Sequence, residues 1–90
     1  MTLYAINTCE STQSGQILNM EFVHRNPETG SLLILDIVGP PTDILPPSKK
    51  CETFSLESDD YIKTIEVYSS RNFIQAVFPM TKNGHWRNWG

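Results

Sequence analysis

The chain has 90 residues, 39% of them hydrophobic and 19% charged, and carries a formal net charge of −3. That length fits one domain, which buries about 60–65% of its unfolded surface on folding, and the composition is that of a globular protein, not a disordered one. Its seven Lys and Arg residues are scattered, which excludes the clustered cations that displace counterions from nucleic acid or an anionic bilayer.

Residues 2–9 place Tyr4 and Ile6 on one face and Leu3 and Ala5 on the other, which predicts a short strand. The polar run at 10–15 predicts a turn. Residues 16–23 alternate more cleanly, with Leu18, Met20 and Phe22 opposite Asn19 and Glu21. A tight connection follows, because Pro27 fixes φ and Gly30 accepts a positive one. Residues 31–38, SLLILDIV, are almost continuously apolar and predict a strand covered on both faces; Gly39-Pro40-Pro41 leaves a helix little room. No apolar run reaches the roughly 18–20 residues that cross a bilayer, and no signal peptide is read at the N-terminus. The address is left open between the cytoplasm and a larger or secreted protein.

Four of the six prolines lie in 39–50, too poor in backbone donors for a sheet interior, so a long crossover loop is expected there, pinned by Ile44 and Leu45. Alternation returns at 51–57 with Phe54 and Leu56 inward. Residues 61–68 set Ile65 and Val67 opposite Thr64, Glu66 and Tyr68. Ser69, Ser70, Arg71 and Asn72 form the predicted turn, and 73–78 set Ile74, Ala76 and Phe78 opposite Phe73, Gln75 and Val77. β-Branched and aromatic residues at period two predict a hairpin whose Ile65, Val67, Ile74 and Phe78 face the core.

The ordered series Asp60-Tyr61-Ile62, Ile65-Glu66-Val67-Tyr68, Ile74-Gln75-Ala76-Val77-Phe78 and Thr81-Lys82-Asn83-Gly84 resembles the repeating pattern of the jacalin-related lectins, with a weaker echo over 15–35. The resemblance implies an all-β domain over 1–90, built of antiparallel Greek-key sheets in a β-prism-like arrangement. About two of the family's three units are expected here. An absent third unit would leave sheet edges and apolar surface open to another chain, to a continuation past Gly90 or to a reduced fold.

The same resemblance implies a lectin that binds a glycan or glycoprotein without catalysis or cofactor. The candidate residues are Asn83, Gly84, His85, Trp86, Arg87 and Asn88, since aromatic faces stack on pyranose rings while planar amides and guanidinium groups bond hydroxyls. Gly84-His85-Trp86-Arg87-Asn88 matches the spacing of the family's Gly-x-x-x-Asp loop, with Asn in the last place. A plainer reading has Trp86 and Trp89 closing one end of the core, with His85 and Arg87 in solvent. The sheets would then serve contacts with other protein subunits in an oligomer or assembly.

Cys9 and Cys51 either form a disulfide, worth about 3–4 kcal/mol in the chain-entropy picture, or stand as two buried thiols. Their spacing with two distant histidines is not that of a zinc site. His24 has no nucleophile beside it, and Glu57, Asp59 and Asp60 read as a solvated turn, not a Ca²⁺ loop or an acid–base pair. No enzyme chemistry is expected.

Overall fold

The computed structural model describes residues 2–70 and 73–90. Its six strands are β1 (Thr2–Ser11), β2 (Ile17–Arg25), β3 (Leu32–Val38), β4 (Lys49–Ser55), β5 (Ile62–Ser70) and β6 (Phe73–Thr81), with one 3₁₀ turn at Thr42–Ile44. All strand pairings are antiparallel. Arg71 and Asn72 of the expected hairpin turn lie outside the described residues, while Ser69 and Ser70 belong to β5.

Strands β1 to β4 lie in the order β4-β1-β2-β3, the Greek-key arrangement in which a long connection returns the fourth strand beside the first. That connection is the proline-rich segment. Asn19 ties it down by donating from Nδ2 to Pro40 O and Thr42 Oγ1, both at 3.0 Å. Leu45 is buried beneath it, but Ile44 is exposed and pins nothing. Gly39 lets the segment pass close to β2: a Cβ there would sit 2.7 Å from the Leu18 carbonyl oxygen.

Alternation sets most of the core. Ile6, Ile17, Met20, Phe54, Leu56, Val77 and Trp89 form it, with Leu3, Phe22, Ile62 and Ile74 packed at its margin. A register shift between Leu3 and Ala5 breaks the period at Tyr4, so neighbouring Ala5 and Ile6 are both buried. Cys9 and Cys51 face each other across the β1–β4 ladder and are joined, closing a separation of 42 residues.

Two expectations about burial are corrected. The apolar strand β3 is an edge strand, not a covered one: among the described residues it pairs only with β2, and its large aliphatic residues are each 43–52% exposed. Every residue of β5 except half-buried Ile62 is exposed, Ile65 and Val67 included, and in β6 the deepest residues are Val77, Pro79 and Thr81. Ile74 and Phe78 are only half-buried. The physical reason is the placement of the hairpin. Trp89 holds β6 over β1, β2 and β4, so β6 turns Val77, Pro79 and Thr81 to the core and nothing among the described residues covers β3 or the outer edge of β5.

Candidate functional site

The site is built on a strip that doubles back along β6. Antiparallel strands pair residues of constant index sum, and here His85 pairs with Thr81, Trp86 with Met80, Arg87 with Pro79 and Trp89 with Val77. The Val77–Trp89 rung has two hydrogen bonds, of 2.9 and 3.0 Å. Proline has no N–H, so the Arg87–Pro79 rung has one, from Arg87 N at 3.3 Å.

Successive side chains on such a strip point to opposite faces, and the two tryptophans stand an odd three positions apart. Their fates differ accordingly. Trp89 is 3% exposed and meets Phe54 edge-on, with ring centroids 6.1 Å apart and planes at 87°. Trp86 is 63% exposed. One of the two closes the core, as the plainer reading expected of both, and the other is free to meet a partner.

A turn at 82–84 joins β6 to the strip. Gly84, at φ +89°, takes the left-handed conformation that reverses the chain, and its N–H donates to Thr81 O at 3.1 Å. Thr81, buried in β6, accepts from His85 N on its Oγ1 at 3.1 Å while its own N–H donates to His85 O at 2.8 Å.

Trp86 divides two open clefts. The larger, of about 320 Å³, has walls of Thr53, Ser55, Glu57, His85 and Arg87. The smaller, of about 170 Å³, runs between Trp86 and Thr64, Glu66 and Met80 of the hairpin. His85 Nε2 lies 3.5 Å from Glu57 Oε1, and Arg87 Nε lies 2.6 Å from Glu52 Oε1 with its guanidinium 5.6 Å from the Phe54 ring centroid. Both pairs are surface pairs of little worth to stability, but they orient the imidazole and the guanidinium. Arg87 retains four further N–H donors. The arrangement offers an apolar plane ringed by hydroxyls, carboxylates, an imidazole and a guanidinium.

No protein-family model, curated protein or solved structure matches this chain. What the strip can bind is therefore read from its own chemistry.

Of the six residues expected at a sugar site, the structure brings His85, Trp86 and Arg87 to one cleft. Asn83 and Gly84 form the turn that presents them. Asn88 lines a separate small cavity with Thr8, Glu10, Lys50, Glu52 and Trp89, so the five-residue loop spacing does not converge on one ligand position. Sequence reasoning missed Thr53, Ser55 and Glu57, which reach the cleft from β4 and the segment after it, and Glu52, which pairs with Arg87. It also read Asp60 as solvated, whereas Asp60 is 7% exposed and hydrogen-bonded, as described below. Among the described residues no cluster of His, Cys, Asp and Glu could hold a metal ion.

Proposed function

We propose that this protein is a carbohydrate-binding module of lectin type, with β-prism-like sheets related to those of the jacalin-related lectins, and that it works by recognition alone. The exposed Trp86 carries this reading. A large aromatic at the solvent, held on a hydrogen-bonded strip and flanked by polar groups on both sides, is what a pyranose ring needs: one apolar face to stack on and hydroxyl partners at its rim. The fixed backbone lowers the ordering cost of binding.

Glycan-array screening followed by calorimetric titration of the best ligand tests this. Trp86→Ala removes an interface aromatic and is expected to weaken binding by about 30-fold or more, corresponding to about 2 kcal/mol. Absence of saturable binding to any glycan, or binding untouched by the substitution, would end this reading.

A second reading, a protein-contact module, is favoured by β3. Its exposed Leu33, Ile34, Leu35 and Ile37 run along a strand edge that no described strand pairs, toward an apolar cleft of about 640 Å³ at Val38, Pro40, Ile44 and Ile74. Under it, sedimentation velocity should find association that grows with concentration and disappears in Leu33→Lys/Ile37→Lys. Both side chains are half in solvent, so the fold should survive the change. A monomer at all concentrations would count against it.

A further inference from the structure

We infer that Asp60 is the positioning residue of the Trp86 strip: its ionised carboxylate clamps the 82–84 turn and, through Thr81, sets His85 and Trp86 in the geometry that meets a ligand. What the strip meets rests on the carbohydrate reading above; the clamp rests on contacts alone.

Asp60 ends the connection between β4 and β5, where its own N–H donates to Glu57 O at 3.0 Å. Its Oδ1 accepts two main-chain N–H groups, from Tyr61 at 2.9 Å and from Asn83, in the turn, at 3.1 Å. Its Oδ2 is sealed from solvent and makes no hydrogen bond. The turn is held at a second point, where Lys82 N donates to Tyr61 O at 3.0 Å and Lys82 Nζ to Asp59 O at 2.9 Å. Thr81, 1% exposed, passes the constraint on, since it accepts from both sides of the turn's exit, from Gly84 N on its carbonyl oxygen and from His85 N on its Oγ1, each at 3.1 Å. Hydrogen bonds to an ionised acceptor are roughly twice as strong as neutral ones. An amide in place of the carboxylate would keep the acceptor, lose the charge and set an NH₂ group in the sealed place of Oδ2.

The ionisable neighbours of the carboxylate are His85, with Glu57 behind it, and Asp59 and Lys82 from the connection and the turn. Burial by itself would raise the Asp60 pKa, but the Thr81 hydroxyl, the Asn83 and Tyr61 N–H groups and the His85 imidazole outweigh it and hold the pKa below the ordinary aspartate value. A depressed folded-state pKa places the stabilisation above the unfolded value and removes it as the pH falls through the folded one. The clamp is therefore closed at neutral pH and opens only in acid.

Amide hydrogen exchange by NMR tests the clamp, with the Val77 amide, bonded to Trp89 O, as the control for the fold. In the wild type the protection factors of Asn83 and His85 should drop on acidification below the ordinary aspartate range, before that of Val77. In Asp60→Asn they should be lower by about tenfold at neutral pH, the ratio between a charge-assisted and a neutral bond, and insensitive to acid. Wild-type protection at both amides in Asp60→Asn, or wild-type protection that stays constant while the Asp60 carboxyl carbon titrates, would overturn the inference. Should the variant not fold, the wild-type titration decides by itself. A glycan selected on the array should bind Asp60→Asn about tenfold more weakly. If the wild type binds no glycan, the carbohydrate reading fails while the exchange data still decide the clamp.

Discussion

Trp89→Ala is expected to destabilise the protein by about 3–5 kcal/mol, the range for truncating a buried large aromatic. Trp89 is the buried side chain by which the strip joins β6 to β4: it exchanges two backbone hydrogen bonds with Val77, the most deeply buried residue of β6, and presses on Phe54 across the core. Its removal leaves a cavity and frees the hairpin from the Greek key, whose only ladder contact with β6 among the described residues is the Ile17–Ile74 pair. A domain of this size has a total stability on the order of 5–15 kcal/mol, so the loss takes up a large share of it. Urea denaturation measures the change. Trp86→Ala, two-thirds in solvent, should fall within about 0.5 kcal/mol of the wild type in the same experiment. Equal effects of the two substitutions would contradict the opposite facing of the strip.

The second large effect is at the disulfide. Cys9→Ser/Cys51→Ser releases a loop of 42 residues, and loop-closure entropy puts the loss at about 4 kcal/mol. The bridge joins buried Cys9 to Cys51 on the exposed strand β4, so it also holds the wall that carries Glu52, Thr53 and Ser55 against β1. Thermal melts of the wild type with and without reductant, beside the double variant, should give two coincident destabilised curves and one stable one. A reduced protein as stable as the oxidised one would show that the ladder needs no crosslink.

Much of the fold is legible in the residues because β-sheets write their faces at period two. Phe54 and Leu56 against Thr53 and Ser55 announce β4 and its inner face, and the four prolines announce the crossover; in β2 the alternation announces the strand but not its faces, since Asn19 and Glu21 are buried along with Met20 while Leu18 and Phe22 are only half-buried. β3 was misread because a continuous apolar run ordinarily marks a strand with a layer on each side. Whether those layers exist is a property of the whole molecule that Leu32 to Val38 do not encode. The inner face of β6 was misread for a related reason. Ile74 and Phe78 share one parity and Val77 and Thr81 the other, and the choice between them was made by Trp89, twelve residues beyond Val77.

Of the site, the residue types were legible and their convergence was not. Trp86 and Trp89 look alike in sequence, and only the rungs at Met80 and Val77 separate a platform from a core residue. Asp60, beside Asp59 in an acidic turn, reads as solvated, because nothing in the local sequence shows the turn at 82–84 that packs on it. One signal could have found it: a hairpin in which Ser70 meets Phe73 and Ile62 meets Thr81 carries Asp60 back beside Asn83, where a carboxylate can cap the returning turn.

The most direct test follows the two indole N–H resonances in a ¹H–¹⁵N spectrum as an oligosaccharide selected on the array is added. The Trp86 signal should shift and saturate together with the His85 amide while the Trp89 signal stays in place. Saturable shifts confined to Trp89 or to β3, or a spectrum that no sugar changes, would contradict the assignment of Trp86 as the recognition surface.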